Sequence, residues 1–145
     1  MVTIANVQGQ KYINDKVGNR ISVVNPGKYL LKQEDMLVSL TGNVGRVSRM
    51  TDTPAVLNQR VGLIKPNTNE VSDEFLFQVL SNNAFESSMV ARGQGAAQAN
   101  ISNNDVLSYE LLVPKDVREQ TSVARLFRYF DTTIALHQRK PFSRK

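Results

Sequence analysis

Short apolar runs separated by turn residues dominate the first half of the chain. Residues 36–40 form such a run between Glu34-Asp35 and Thr41-Gly42-Asn43, and this pattern predicts a largely buried strand that enters a tight turn. Further strand patterns follow at residues 44–47, as the expected hairpin partner, and at residues 55–57 and 61–64. The first half is therefore predicted to be rich in β-structure.

Helical spacing replaces this pattern at Ser72. Ser72 suits an N-cap position, the acidic pair Asp73-Glu74 suits a helix start, and apolar residues then recur every three or four positions. This pattern predicts one helix of about 18 residues that ends near Arg92-Gly93. A loop at residues 93–100, a second N-cap at Ser102 over a short turn, and a strand at residues 109–113 are expected next.

The C-terminal region is predicted to form one long helix over residues 116–140, ended by Pro141. Its apolar stripe has the a/d spacing of a coiled coil and consists of Val123, Phe127, Phe130, Ile134 and His137. The stripe is only two heptads long. It can therefore pack against its own domain or form a seam with another helix, and both interpretations stay open.

Composition restricts the classes of function. The chain has 145 residues, of which 41% are hydrophobic, with no cysteine and a single histidine. This length suits one domain with a substantial core. Disulfides, thiolate metal sites and cysteine nucleophiles are excluded, and most imidazole-based sites are as well. No apolar run could span a bilayer and no signal-peptide pattern opens the chain, so we expect a cytoplasmic protein without a membrane partner.

Charge is distributed unevenly around a formal net charge of +5. Residues 1–65 carry 9 basic and 4 acidic residues, residues 66–113 carry 1 and 6, and residues 114–145 carry 8 and 3. The basic first block suggests a polyanionic partner, and the basic tail suits nucleic acid or an acidic protein. A solvated surface is the alternative explanation of such asymmetry.

Motifs for catalysis are missing from the sequence. Residues 93–98 imitate a dinucleotide-binding loop but follow a predicted helix and lack the third glycine. No Walker A motif and no Asp-x-Lys or Glu-x-Lys triplet occurs, and His137 lies on the apolar stripe, where a packing role is expected. We therefore expect no enzyme activity, no cofactor and no metal site.

Polar loops rich in amides and arginines remain. Asn and Gln can pair with adenine, Arg with guanine, and Thr or backbone amides with phosphate. These loops predict DNA-binding residues at Thr41, Asn43, Arg46, Gln59, Arg60, Arg92, Gln94, Gln98 and Asn100. For any one of them, the alternative is that its side chain only ties down a loop.

The order of several short segments resembles a known family. The chain reads LVSLTGNVGRV at residues 37–47, LNQRVGLIKP at 57–66, EFLFQVLSNNAF at 74–85, GQGAAQANIS at 93–102 and VPKDVREQTSVARLFRYFDTTIALHQRK at 113–140. In this order and spacing the segments resemble the specificity subunit of type I restriction-modification systems. The resemblance covers nearly the whole chain, although this family usually has two recognition domains and two long helices.

The resemblance implies an α+β fold in which a β-rich target-recognition domain with one packed helix precedes a long C-terminal helix of coiled-coil type. It implies a DNA-reading domain at residues 1–113, without its usual first part, and a conserved helix at residues 114–145. That helix would contact subunits through Val123, Phe127, Phe130, Ile134 and His137. The implied partners are double-stranded DNA, the modification (methyltransferase) subunits and, through them, the restriction subunit.

The function implied is non-catalytic recognition of part of a bipartite DNA site. A homodimer formed through the helix would place two identical readers on DNA, and its target would then be a split inverted repeat. The alternative is an interaction fragment whose helix binds modification subunits without reading DNA.

Overall fold

The structure is a computed structural model that describes residues 1–18, 20–95 and 98–138. The chain divides into two units, one formed by Met1–Lys65 and Val79–Leu111 and the other by Pro66–Gln78 and the residues from Leu112 onward. The strands are β1 (Leu30–Leu31), β2 (Met36–Ser39), β3 (Val47–Arg49), β4 (Ala55–Val56) and β5 (Val61–Ile64). The helices are α1 (Asp73–Leu80), α2 (Asn83–Arg92), α3 (Asn103–Leu107) and α4 (Val117–Gln138).

Antiparallel sheets organise the first unit. Strand β2 lies between β3 and β5, with Leu37 opposite Ser48 on one side and Leu63 on the other. All four β2 residues are buried, as expected for an apolar central strand. Strands β1 and β4 form a separate two-stranded sheet. The mixed α+β class, with antiparallel sheets and a C-terminal helix, is confirmed.

A hydrophobic cluster fills the interior beside these sheets. Its buried members are Val2, Val7, Ile13, Leu31, Leu37, Met50 and Val61. Several of them come from residues 1–18, where regular secondary structure is scarce. The turn-rich start of the chain therefore contributes to the core.

The hairpin after β2 differs from its prediction. Residues 44–47 were expected to form the return strand, but β3 begins only at Val47. Ser39 N donates to Arg46 O at 3.0 Å and Gly45 N donates to Ser39 O at 2.9 Å, and these bonds hold residues 42–46 as the connecting loop. Gly45 has φ +80°, a conformation that glycine adopts without a steric penalty.

The single helix predicted over residues 72–92 is wrong. Two helices occupy this stretch, because Asn82 is extended and its side chain accepts hydrogen bonds from Ala84 N and Phe85 N. Such a side-chain cap starts a new helix instead of continuing the old one. The apolar spacing passes through the break without a change, so periodicity alone does not show it. The predicted N-cap at Ser102 is confirmed, with a full capping box to Asp105.

The strand predicted at residues 109–113 is also wrong, because this segment has no regular secondary structure. A strand needs a hydrogen-bonding neighbour, and no strand of the described residues pairs with this segment. Tyr109 instead packs edge-on against Phe85, with ring centroids 5.0 Å apart, and Leu112 is fully exposed. Residues 109–113 therefore do not form a strand, although their residue types favour one.

The second unit is held together by a buried amide near the start of α4. Gln120 is 0% exposed, and its Oε1 accepts from Ser72 N at 2.7 Å. Its Nε2 donates to Pro114 O at 2.7 Å and to Glu70 O at 3.1 Å. Nearby, Gln78 Nε2 donates to Ala124 O at 2.8 Å. These bonds join residues 66–78 to the first turns of α4.

Helix α4 confirms the long C-terminal helix as far as Gln138, while the predicted end at Pro141 lies outside the described residues. Beyond Ala124, the helix presents large apolar side chains to solvent. The exposed fractions are 57% for Phe127, 49% for Phe130 and 55% for Ile134. Within the described residues, the stripe is thus not buried by its own chain after Val123. No helix of the described ranges combines the length and apolar character needed to cross a bilayer.

Candidate nucleic-acid interface

Three loops that contain predicted site residues meet at the end of strand β2. Leu40 N donates to Arg60 O at 3.0 Å, which fixes the loop at residues 58–60 on one side. On the other side, Ile101 N donates to Leu40 O and Gly42 N donates to Ala99 O, each at 2.9 Å. Thr41 and Asn100 also form an isolated antiparallel bridge. Segments far apart in sequence are thereby joined by backbone hydrogen bonds.

Glycines allow these close approaches. Gly42 has φ +72°, and a Cβ at this position would lie 3.4 Å from Ile4 Cδ1 and 3.7 Å from Gln98 Nε2. Gly62 faces Val38 so closely that a Cβ would lie 2.9 Å from its Cγ1. The loop at residues 58–60 is shaped by Asn58, whose Oδ1 accepts from Arg60 N at 3.0 Å.

Most of the predicted side chains at this junction are exposed. They are Asn43, Gln59, Arg60, Gln98 and Asn100. Thr41 differs, because its hydroxyl is buried and has no hydrogen-bond partner among the described residues. The junction therefore presents four amides and one guanidinium to solvent, and we name these five residues the β2-end surface.

Arg46 lies in a different environment from the β2-end surface. Its Nε is 3.2 Å from Glu86 Oε1 and its Nη1 donates to Gln8 Oε1 at 2.7 Å. The Arg46 and Glu86 side chains are 29% and 39% exposed, so solvent weakens this ion pair. Arg46 thus joins residue 8 to helix α2 while part of its guanidinium stays accessible.

Arg92 is held by the end of the first unit. Its Nη1 donates to Asp105 O at 2.9 Å and also to Ser108 Oγ, and its Nη2 donates to Ser108 O at 3.5 Å. These contacts connect the end of α2 to the end of α3. Gln94 lies with Asn83, Ser87 and Ala91 in the lining of a shallow depression on α2. Neither Arg92 nor Gln94 forms a hydrogen bond with the β2-end surface in the part of the chain described.

Sequence reasoning did not find Gln8 and Glu86, which hold the side chain of Arg46. Glu86 is 40 positions from Arg46 and Gln8 is 38 positions away. No local pattern relates side chains at such separations. Glu86 lies in the first turn of α2, and an acidic residue at such a position can pair with a basic side chain such as Arg46.

The ionisable groups of the described residues show structural roles. Hydrogen bonds from Thr53 and Thr51 hold the pKa of Asp15 below its ordinary value. Ser102 lowers the pKa of Asp105, and the backbone N–H of Arg118 lowers that of Asp116. His137 Nδ1 lies 2.8 Å from Thr133 O on α4, so this nitrogen carries a proton. No group of residues suited to hold a metal ion occurs within the described ranges.

Comparison with known proteins gives a family for this arrangement. The family model described as "Type I restriction modification DNA specificity domain" matches residues 3–142, which confirms the resemblance found in the sequence. The matched family is described as a DNA specificity domain, and this confirms the prediction that the chain is a recognition domain and not an enzyme. No curated protein matches the chain.

A solved structure has the same fold. The crystal structure of a type I restriction-modification system S subunit from M. genitalium is 21% identical to this chain, with a TM-score of 0.55. The match covers 91% of this chain and 35% of that subunit. The present chain thus spans about a third of the subunit's length.

Proposed function

Because the chain belongs to the family of type I restriction modification DNA specificity domains, we propose that it reads part of a DNA site through the β2-end surface. The observation that carries this proposal is the convergence of three separate loops at the end of β2. Their backbones are fixed by hydrogen bonds, whereas their amide and guanidinium groups face solvent. Such an arrangement holds polar groups ready for a partner at little conformational cost.

The chemistry of these side chains suits base edges in the major groove. Asn43, Gln98 and Asn100 can each donate to and accept from adenine, and Arg60 can donate two hydrogen bonds to guanine. Arg46 and Arg92 are expected to contribute less to direct readout, because their guanidinium groups already donate within the protein. Both arginines can still place a positive charge near phosphates.

The test is selection from a randomised duplex library at two salt concentrations. The wild-type chain should enrich a short motif, and Gln98→Ala or Arg60→Ala should relax the preference at one position while costing about 1–3 kcal/mol of binding free energy. Asn69→Ala is the matched control, because Asn69 is an exposed amide in the other unit. Enrichment of the same motif by all three variants would contradict the assignment of this surface.

We further propose that α4 docks modification subunits and, through them, the restriction subunit. The supporting observation is the exposed apolar stripe at Phe127, Phe130 and Ile134, together with Val123 before it and His137 after it. Large exposed apolar patches mark interaction surfaces. The same stripe could pair two copies of this chain, which would then read an inverted repeat.

Capture of a purified modification subunit tests this docking. Phe127→Ser combined with Phe130→Ser should abolish capture, whereas Arg118→Ser combined with Arg125→Ser should retain it, because both arginines are exposed residues of the same helix. Sedimentation of the wild-type chain at high concentration tests the homodimer, and a strictly monomeric chain would remove it. Capture by a chain that enriches no DNA motif would favour the interaction fragment over the DNA reader.

A further inference from the structure

An exposed segment of the first unit is held only near its ends. Residues 20–32 follow Val17, whose carbonyl accepts from Nδ2 of buried Asn6 at 2.8 Å. They end at Tyr29, whose carbonyl accepts from Leu57 N at 2.8 Å, and at the short strand β1. Residues 20–24 form no hydrogen bond within the part of the chain described. We name residues 20–32 the basic segment.

Charge in the basic segment has one sign. It contains Arg20, Lys28 and Lys32 and no acidic residue. All three side chains belong to exposed residues. None of the three forms an ion pair with a carboxylate in the described ranges. Cations without carboxylate partners are the groups with which a protein surface neutralises a polyanion.

Exposed apolar side chains lie between Arg20 and Lys28. Val24 is 103% exposed, and Ile21 and Val23 are 45% and 43% exposed. Val24 stands next to the turn at Asn25-Pro26, where Gly27 N donates to Asn25 Oδ1 at 3.2 Å. An exposed β-branched side chain at such a tip contributes nothing to the core of this chain. Val24 can instead make apolar contacts with a partner that also offers negative charge to the neighbouring cations.

The end of the basic segment pairs with the strand that leads toward the β2-end surface. Tyr29 is joined to Leu57 through its carbonyl, and Leu57 leads directly into the loop that carries Gln59 and Arg60. The β1–β4 pairing places Leu30 opposite Val56. The end of the basic segment and the strand that precedes Arg60 are therefore neighbours in the same unit.

We propose that the basic segment is a second DNA-contact element, in which Arg20, Lys28 and Lys32 bind backbone phosphates and Val24 contacts sugar or base surface. This inference rests on the proposed function, because it extends the β2-end surface. Double-stranded DNA fits better than an acidic protein, since it offers phosphates to these cations together with apolar sugar and base faces. Phosphate contacts would add affinity without changing which bases are read.

The test measures duplex binding by fluorescence anisotropy at several salt concentrations. A triple variant, Arg20→Gln, Lys28→Gln and Lys32→Gln, should bind all duplexes more weakly. It should also lower the slope of log affinity against log salt by about 0.9 for each phosphate that the variant no longer neutralises. The motif enriched from the library should stay that of the wild type. Val24→Ser should weaken binding without changing the salt slope.

A charge-matched control separates this effect from net charge. The triple variant Lys115→Gln, Arg118→Gln and Arg125→Gln removes three exposed cations from the other unit and should leave most of the slope. Thermal unfolding should be unchanged in both triple variants, because all six side chains belong to exposed residues.

The outcomes separate this inference from the proposed function. If the wild-type chain binds a duplex and the first triple variant keeps its affinity and slope, the basic segment is not a DNA contact, although the proposed function stands. If the wild-type chain binds no duplex, the proposed function itself fails. Binding of polyglutamate that disappears in the triple variant, with duplex binding unchanged, would overturn the inference and assign the segment to an acidic protein.

Discussion

Substitution of Gly45 by alanine should destabilise the first unit through two separable effects. Gly45 lies in the loop between β2 and β3 with φ +80°, and an added Cβ would lie 2.6 Å from Met89 Cβ, 3.0 Å from Met89 Cγ and 3.2 Å from Glu86 Cα. Met89 is fully buried on α2. The loop and the helix therefore approach each other at the distance that only glycine permits.

The magnitude follows from these two effects. A left-handed backbone costs a non-glycine residue about 1–2 kcal/mol. Forcing an extra methyl group into a packed contact costs about 1–3 kcal/mol more. Here the obstacle includes the α2 backbone at Glu86, which cannot rotate away as a flexible side chain would. We expect Gly45→Ala to lower the free energy of unfolding by about 2–5 kcal/mol.

Gly9 supplies a control with almost the same backbone conformation. Its φ is +79°, yet an added Cβ would meet nothing closer than Arg46 Cγ at 3.8 Å. Gly9→Ala should therefore cost only the backbone contribution, about 1–2 kcal/mol. Urea unfolding followed by circular dichroism measures both variants. Equal losses of stability in the two variants would refute the steric contact between the loop and α2.

Two further predictions concern single polar side chains. Gln120→Ala should lower the free energy of unfolding by about 2–4 kcal/mol, because it leaves the buried Ser72 N–H and the Pro114 and Glu70 carbonyls without their partner. In urea titrations, exposed Gln138→Ala serves as its control, and equal midpoints would contradict this role. Because the pKa of Asp105 is lowered in the folded chain by Ser102, its stabilising effect should be complete above its unfolded pKa and lost as pH falls through the folded value. The stability difference between the wild type and Asp105→Asn should therefore shrink as pH falls through the folded pKa of Asp105, and a difference that stays constant across the acid range would count against the capping box as its source.

The sequence predicted the elements that have a strong local pattern of apolar or capping residues. The apolar run of β2, the strand at residues 61–64 and the cap at Ser102 all appear as expected. The break between α1 and α2 was missed because the apolar spacing continues through it. Asn82 is itself a favoured N-cap residue, and this local signal for a new helix start was given too little weight. The strand predicted at residues 109–113 does not form because no strand of the described residues pairs with this segment. The local sequence cannot show whether such a neighbour exists.

The candidate site divides in the same way. Residue chemistry and family resemblance identified amides and arginines, and the structure brings Asn43, Gln98 and Asn100 to one junction with Arg60. They could not show that Arg46 pairs with Glu86, or that the Thr41 hydroxyl is buried. Those facts depend on contacts between segments 40 or more residues apart. Which bases each side chain reads stays a prediction.

The division of the chain into interleaved units sets rules for exchanging recognition domains between related proteins. Residues 66–78 belong to the same unit as α4, and Gln120 supplies their hydrogen-bond partner. A chimera joined only at position 113 would combine residues 66–78 of one parent with α4 of the other. The hydrogen bonds of Gln120 to Ser72 and Glu70 would then join segments from different parents. A chimera that transfers residues 66–78 and α4 from the same parent keeps this network intact. We therefore expect the first unit to be exchanged between relatives most stably as two sequence segments, 1–65 and 79–111, with the second unit retained.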